Sequence, residues 1–361
     1  MEKEFVMNWE KNVRTVVPYV PGEQPNQPSM IKLNTNECPY PPAPGVQKAM
    51  DDMEVDQLRL YPDPTAKELV DVLAKYYERD QDSIFVGVGS DDVLAMAFLT
   101  FFNSDKPILF PDITYSFYDV WANLYRIPFE RPKLDDQFKI VLQDYKKENG
   151  GIILANPNAP TGINESVEVL EEIIQSNPDV VVIIDEAYVD FGGESCLPLV
   201  DKYDNLLVVQ TFSKSRSLAG MRIGFAIGNP KLIQYLQDAK YSFNSYTLNT
   251  PTLKLGVEAV KDEEYFVTTV KKVIQTREWS KQELSKLGFS FPDSCTNFIF
   301  ARHESIPAQE ILAKLREKKI YVRHFKSERI SEYLRISIGT DEEMMQLMEA
   351  LKEIVKNDAG I

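Results

Sequence analysis

A lysine stands just beyond a mostly apolar, strand-like run in Leu206-Leu207-Val208-Val209-Gln210-Thr211-Phe212-Ser213-Lys214. A lone lysine is normally a solvated surface charge. At the end of a buried strand it meets the conditions that make lysines nucleophilic: burial and neighbouring positive charge. Ser213 and Arg222 nearby supply what a phosphate needs, with the guanidinium able to bind two oxygens at once. A second apolar run, Val182-Ile183-Ile184, ends in Asp185-Glu186-Ala187-Tyr188. Burying that carboxylate unpaired costs several kcal/mol, so it needs a cationic partner. The partner is either a structural salt bridge or the protonated ring nitrogen of a cofactor.

Two glycine- and proline-bearing loops follow strand-like runs. Phe85-Val86-Gly87-Val88-Gly89-Ser90-Asp91 reads as a strand, a tight turn and a helix start. Free N–H groups at such a start form an anion site, although an ordinary N-capped turn looks the same. The chain lacks the Walker pattern and the complete dinucleotide fingerprint. Asn156-Pro157-Asn158-Ala159-Pro160-Thr161-Gly162 reads as a rigid loop, beyond the carboxyl end of the run Ile152–Ala155. Ligands of open α/β sheets bind at that edge. The set amounts to a phosphate cradle, a lysine nucleophile and a buried Asp–Tyr pair on one sheet edge. That is the equipment for pyridoxal 5′-phosphate (PLP) chemistry.

The elements that must carry these residues alternate. Apolar runs at Ile84–Val88, Pro107–Phe110, Gly151–Ala155, Val180–Ile184 and Leu206–Gln210 read as strands buried on both faces, and Arg222–Gly228 as one more. Helical patterns at Asp91–Phe102 and Ser166–Gln175 lie between them, and Thr65–Tyr77 precedes them. The βαβ order predicts a doubly wound, mainly parallel α/β domain. Tyr265–Lys286 reads as one long helix leading to a small α/β unit: strands at Asn297–Ala301, Ile320–His324 and Tyr333–Ile338, helices at Ala308–Lys318 and Asp341–Val355. The expected division is an arm over 1–30, a large cofactor domain over 31–260 and a small C-terminal domain over 261–361. Frequent prolines make 1–65 read as an arm rather than a core segment.

Composition excludes several classes. The 361 residues carry a net charge of −15, which argues against a nucleic-acid partner or an anionic membrane surface. Two histidines and three cysteines have no zinc spacing, and the three scattered cysteines suit a reducing compartment. The start MEKEFVMNWEK lacks the pattern of a signal peptide, and no apolar run is long enough to span a bilayer, so a cytoplasmic location is expected.

At these motifs the chain resembles fold type I PLP-dependent aminotransferases, and more narrowly the histidinol-phosphate aminotransferase family. The likeness covers nearly the whole chain. It runs through Arg14-x-x-x-Pro18-Tyr19-x-Pro21-Gly22, Leu33-Asn34-Thr35-Asn36-Glu37-x-Pro39, Arg59-Leu60-Tyr61-Pro62-Asp63, the four blocks above and Leu334-Arg335-Ile336-x-x-Gly339-Thr340. The resemblance implies that Lys214 is the Schiff-base lysine and moves a proton between Cα and C4′. It implies that Asp185 faces the ring nitrogen, Tyr188 the ring's 3′-oxygen and Tyr115 the ring face. Ser90, Asp91, Ser213 and Arg222 would hold the cofactor phosphate, joined by Tyr61 from the other subunit of a homodimer. Arg335, with Arg323, Tyr19 and Asn36, would meet the substrates: histidinol phosphate, and glutamate or 2-oxoglutarate. The family commonly has Asn just before Pro-Thr-Gly, touching the 3′-oxygen. Here that residue is Ala159, so Asn158 or Tyr188 alone is expected to take the contact. Arg216, two residues past Lys214, adds a positive charge with no assigned role. An aromatic amino-acid transaminase and a threonine-phosphate decarboxylase stay open as related readings, a non-enzymatic PLP sensor as a remote one.

Overall fold

The computed structural model describes residues 8–358. The strands in chain order are β1 (Ile31–Leu33), β2 (Ile84–Gly87), β3 (Ile108–Leu109), β4 (Phe129–Glu130), β5 (Ile152–Ala155), β6 (Val182–Asp185), β7 (Leu206–Thr211), β8 (Gly224–Gly228), β9 (Phe289–Ser290), β10 (Phe298–His303), β11 (Ile320–His324) and β12 (Leu334–Ser337). The α-helices are α1 (Pro44–Asp51), α2 (Lys67–Tyr77), α3 (Gly89–Phe101), α4 (Phe117–Tyr125), α5 (Val167–Gln175), α6 (Pro230–Phe243), α7 (Thr250–Lys261), α8 (Glu263–Lys286), α9 (Ala308–Glu317) and α10 (Asp341–Asp358).

Seven strands form the large sheet in the order β2-β8-β7-β6-β5-β3-β4. All run parallel except β8, which is antiparallel to both β7 and β2. The apolar runs are continuous because both faces are covered. Leu206 and Val208 enter one core with Ile152, Leu154, Val182 and Ile184. Leu207 and Val209 enter the opposite core with Ile153 and Ile183. This strict alternation sends successive side chains to opposite sides and decides the fate of the two adjacent carboxylates that end β6.

The second sheet has the order β1-β11-β12-β10-β9 and is antiparallel apart from the β1–β11 pair. Two expectations need correction. Residues 31–33 were expected in the large domain, yet β1 pairs with β11 in register Ile31↔Ile320. Ile31 and Leu33 need an apolar face, and the small sheet's core supplies it. The 1–65 stretch is also more than an arm. It contains α1, whose Pro44 sits at the helix start, where a missing N–H costs nothing, and whose Val46 is buried. The arm touches both units: Tyr19 stacks on Phe117 of α4 at 4.1 Å, and Glu23 pairs with Arg316 of α9 at 2.5 Å.

Candidate active site

The carboxyl ends of β5, β6 and β7 lie side by side, with Ala155 opposite Asp185 and Asp185 opposite Val209. A cavity of about 180 Å³ opens there, lined among others by Ser90, Asp91, Asp185, Tyr188, Lys214 and Arg222. A second hollow of about 150 Å³ shares Thr35, Tyr115, Ala159, Tyr188 and Lys214 with it and extends to Tyr19, Asn36, Arg323 and Arg335. Lys214 therefore borders both halves. The motif residues, far apart in sequence, converge on one cleft between the two sheets.

Sheet parity separates Asp185 from Glu186. Asp185 points to the side where α4 packs, and the fully buried Tyr118 hydroxyl donates to its Oδ2 at 2.8 Å. The Ala187 N–H donates to Oδ1 at 3.3 Å. Burial pushes the Asp185 carboxyl up to about 6, the two hydrogen bonds holding it lower than burial alone would. Glu186 points the other way, away from the cleft. Ser195 Oγ, Cys196 N and Gln210 Nε2 all donate to it, at 2.6, 2.6 and 2.9 Å.

The phosphate cradle rests on the start of α3. Asp92 Oδ2 accepts from the Val88 N–H at 2.9 Å, closing the turn in the manner of a capping box. The N–H groups of Ser90 and Asp91, in the first turn, have no intrahelical acceptor. Arg222, from the turn before β8, donates through Nη1 to Ser213 Oγ at 3.2 Å and through Nη2 to Asp91 Oδ2 at 3.2 Å. Gly89 is required here, because it has φ +80° and a Cβ would lie 2.4 Å from Arg222 Nη2. The Tyr115 hydroxyl donates to Asp91 Oδ1 at 2.8 Å.

Three consecutive residues of the loop after β1 hold three functional side chains. Arg335 Nη2 donates to Asn34 O at 3.1 Å, Lys214 Nζ to Thr35 O at 3.3 Å, and Asn36 Nδ2 to the Tyr188 hydroxyl oxygen at 2.9 Å. Lys214 Nζ also lies 5.7 Å from the Tyr188 ring centroid. Arg335 Nε is buried without a hydrogen-bond partner, and its guanidinium lies over Phe298 at 5.3 Å and Phe325 at 5.7 Å. Burial lowers the Arg335 pKa, and neighbouring Arg323 lowers it further.

Some residues sit elsewhere than expected. Asn158 does not line the cavity. Its Oδ1 accepts from Thr114 Oγ1 at 2.8 Å, and Nδ2 gives one hydrogen to Ile113 O and one to Thr161 Oγ1, both at 3.0 Å. The amide is fully occupied in holding the loop, and Ala159 faces the cleft instead. Arg216 points away from the cleft. Its Nη1 donates to Ala259 O at 2.8 Å and its guanidinium lies 4.2 Å from the Phe266 ring centroid. Tyr61 is 82% exposed, stacks on Tyr246 at 4.7 Å and is absent from its own chain's cleft. His303 and His324 accept or donate only locally, to Leu287 O, Ser305, Ile306 and Ser331 O. Tyr118 and the backbone acceptors of Asn34 and Thr35 are site components that the motifs did not reveal.

The pattern of the family Aminotransferase class I and II matches residues 28–351. The chain belongs to that family. This aminotransferase is 53% identical over 351 residues to the histidinol-phosphate aminotransferase of Lactococcus lactis subsp. cremoris strain MG1363, covering 97% of this chain and 99% of that one. It is 53% identical over 345 residues to the enzyme of the same name from Brachyspira hyodysenteriae, covering 95% and 98%. Among solved structures, its fold resembles the Sinorhizobium meliloti histidinol-phosphate aminotransferase in complex with pyridoxal-5'-phosphate (TM-score 0.83, 23% identity, 91% of each chain). It also resembles a putative one from Erwinia carotovora atroseptica (TM-score 0.84, 24% identity, 91% of this chain and 97% of that one). The doubly wound expectation is met, with a fold type I large sheet. Among the described residues of the aminotransferase, no helix is long and apolar enough to cross a membrane, and no cluster could hold a metal ion.

Proposed function

We propose that this aminotransferase uses PLP to exchange the amino group of L-histidinol phosphate with 2-oxoglutarate, a step of L-histidine biosynthesis that runs toward histidinol phosphate with glutamate as donor. The residues fit the cofactor. Arg222, Ser213 and the first turn of α3 offer donors to a phosphate, Asp185 offers a buried carboxylate to a ring nitrogen, and Lys214 lies between. Bound PLP supplies an electron sink for negative charge at the substrate's Cα. The protein's share is positioning and proton movement. Lys214 Nζ carries the proton between Cα and the cofactor's C4′. Asp185 would hold its negative charge against the ring nitrogen, its carboxylate oriented by the Tyr118 hydroxyl and the Ala187 N–H. Tyr115 walls one side of the cleft, and the two amino-group transfers follow each other in ping-pong order.

The observation that carries the substrate assignment is the pair Arg323 and Arg335. They are opposite one another in the β11–β12 register, both line the hollow next to Lys214, and neither forms an ion pair with a carboxylate among the described residues. Two guanidiniums left without acids suit a substrate whose tail is a phosphate dianion. Arg335, whose buried Nε lacks a partner, also suits the carboxylate of glutamate. Tyr19 and Asn36 close the same hollow.

Exposed Val55, Leu58, Leu60, Tyr61 and Phe243 support a homodimer in which Tyr61 serves the partner's cofactor phosphate. The direct test is turnover. Histidinol phosphate with 2-oxoglutarate should exceed phenylalanine or tyrosine by at least about tenfold in kcat/KM, roughly 1.4 kcal/mol of transition-state binding. Equal rates would favour an aromatic transaminase. Sedimentation of wild type and Tyr61→Ala, with cofactor titration, tests the dimer.

A further inference from the structure

Ala159 brings no side-chain amide into the cleft, and Asn158 has no hydrogen left to give. An amide is nevertheless present beside Tyr188, supplied by a different segment. Asn36 Nδ2 lies 2.9 Å from the Tyr188 hydroxyl oxygen. The orientation of that amide is fixed by its other end. Ser337 Oγ accepts from the Asn36 N–H at 2.9 Å and donates its own hydrogen to Asn36 Oδ1 at 2.9 Å. Oδ1 is therefore the accepting end, and Nδ2 is the end that faces Tyr188. Asn297 Nδ2 donates to the Asn36 carbonyl at 2.9 Å, so β12 and the loop before β10 together clamp the residue. Its backbone is left-handed, with φ +56°, a conformation that asparagine tolerates better than most residues.

We propose that Asn36 is a positioning residue that acts through Tyr188. Its N–H bond occupies the lone-pair side of the Tyr188 oxygen. The hydroxyl's own hydrogen finds no acceptor among the described residues, and Tyr188 lines both halves of the cleft. The phenol is held as a one-way donor into the site, and donation into its oxygen strengthens it as a donor. The recipient is the ring oxygen of the cofactor in the PLP reading above, on which this inference rests. The same clamp ties that donor to β12, the strand that carries Arg335. The hydrogen bond that orients Tyr188 thus depends on the small sheet being seated over the large one.

The test compares Asn36→Asp and Asn36→Gly with wild type. Asn36→Asp keeps the shape, the tolerance for positive φ and the Ser337 contact, but turns the donor facing Tyr188 into an acceptor. The hydroxyl hydrogen is then drawn away from the cleft. Asn36→Gly deletes the amide without adding charge and suits the left-handed backbone. The readout is the pH midpoint of the absorption change of the bound cofactor, taken without substrate. A ring oxygen that loses its donor has its negative charge less stabilised and holds its proton to higher pH. Both variants should move the midpoint upward by about half to one pH unit, the worth of one hydrogen bond. In a Tyr188→Phe background Asn36→Gly should move it by less than about 0.2 unit, because the route through the hydroxyl is gone, while Asn36→Asp should keep only the part owed to its added charge. Undiminished shifts in that background, or no shift with Tyr188 present, would overturn the proposal. Wild-type protein that takes up PLP and shows the band keeps the cofactor reading intact whichever result is found.

Discussion

Arg323 and Arg335 face each other across β11 and β12 as direct antiparallel partners, two like charges brought together with no carboxylate between them. Such a pair is destabilising in the free protein, and the Arg323 charge adds to burial in lowering the Arg335 proton affinity. Phe325 lies beneath both, 5.8 Å from Arg323 and 5.7 Å from Arg335, so aromatic faces rather than acids offset the charge. The arrangement keeps both forks available to an anion.

The two arginines should therefore separate the half-reactions. Arg323→Ala should lower kcat/KM for histidinol phosphate by about 10–100-fold, the worth of a charge-assisted hydrogen bond. The glutamate half-reaction should change by less than about threefold, a difference well below that of one such bond. Arg335→Ala should depress both by comparable factors. Single-turnover measurements with each amino donor check this, and equal losses in Arg323→Ala would assign that residue to structure alone.

Gly89→Ala should strike cofactor binding while sparing the substrate hollow. The new Cβ meets Arg222 Nη2 at 2.4 Å, and the +80° φ adds a backbone cost of about 1–2 kcal/mol. Arg222 must leave Ser213 and Asp91, which removes the guanidinium from the phosphate cradle. The dissociation constant for PLP should rise by at least about tenfold, equivalent to losing one charge-assisted bond. A fluorescence or absorbance titration of the cofactor-free protein reads it directly.

The large sheet and the lysine block were legible because their signals are local. A strand covered on both faces must be apolar along its buried length, and β5 is so throughout, β6 up to Asp185 and β7 up to Gln210. The long helix α8 spans Glu263–Lys286 against an expected Tyr265–Lys286 for the same reason of periodicity. What stayed hidden depends on partners far along the chain. Three residues of β1 carry no mark of the sheet they join, since Ile31 pairs with Ile320. Tyr118 is one aromatic among many in the sequence, and only the packing of α4 over Asp185 gives it a partner. Asn34 and Thr35 act through their carbonyls, which every residue has. The motif around Asn158 fixes the loop, whereas the direction of its amide is set by Thr114 and Ile113.

Arg216 illustrates how proximity in sequence to Lys214 misleads. Its charge is buried between Phe266 at 4.2 Å and Tyr76 at 4.9 Å, and it satisfies the carbonyl of Ala259. Arg216→Ala should cost about 2–4 kcal/mol of stability, from a lost desolvated cation–π contact and an orphaned buried carbonyl. PLP affinity should stay within about twofold, a change far smaller than one hydrogen bond. Urea unfolding and cofactor titration on the same preparation separate the two effects, and a large fall in affinity would give Arg216 a role in the site.

Asp185 makes the stability of the cofactor-free protein depend on pH in an unusual direction. Burial raises its folded carboxyl to about 6, above the value of about 3.9 for an unfolded aspartate. Below pH 4 both states hold the proton and the group contributes its full stability. Between about pH 4 and 6 the unfolded chain releases the proton while the folded chain keeps it, so stability falls as pH rises. Above the folded value both are ionised and the loss is complete. Two units correspond to at most about 3 kcal/mol. The amide introduced by Asp185→Asn cannot titrate, and its altered contact with the Ala187 N–H adds only a pH-independent offset. Relative to wild type, Asp185→Asn should thus gain stability steadily from pH 4 to pH 7 and no further beyond. Glu186, raised to about 7 by burial, titrates in both proteins and cancels in the comparison. Urea unfolding of cofactor-free protein at pH 4, 5, 6, 7 and 8 measures the gap. A gap constant across that range would mean that Asp185 is not held in a desolvated, proton-retaining setting. On the proposed reading the same substitution should abolish transamination, because the carboxylate whose burial destabilises the empty protein is the one assigned to the cofactor's ring nitrogen.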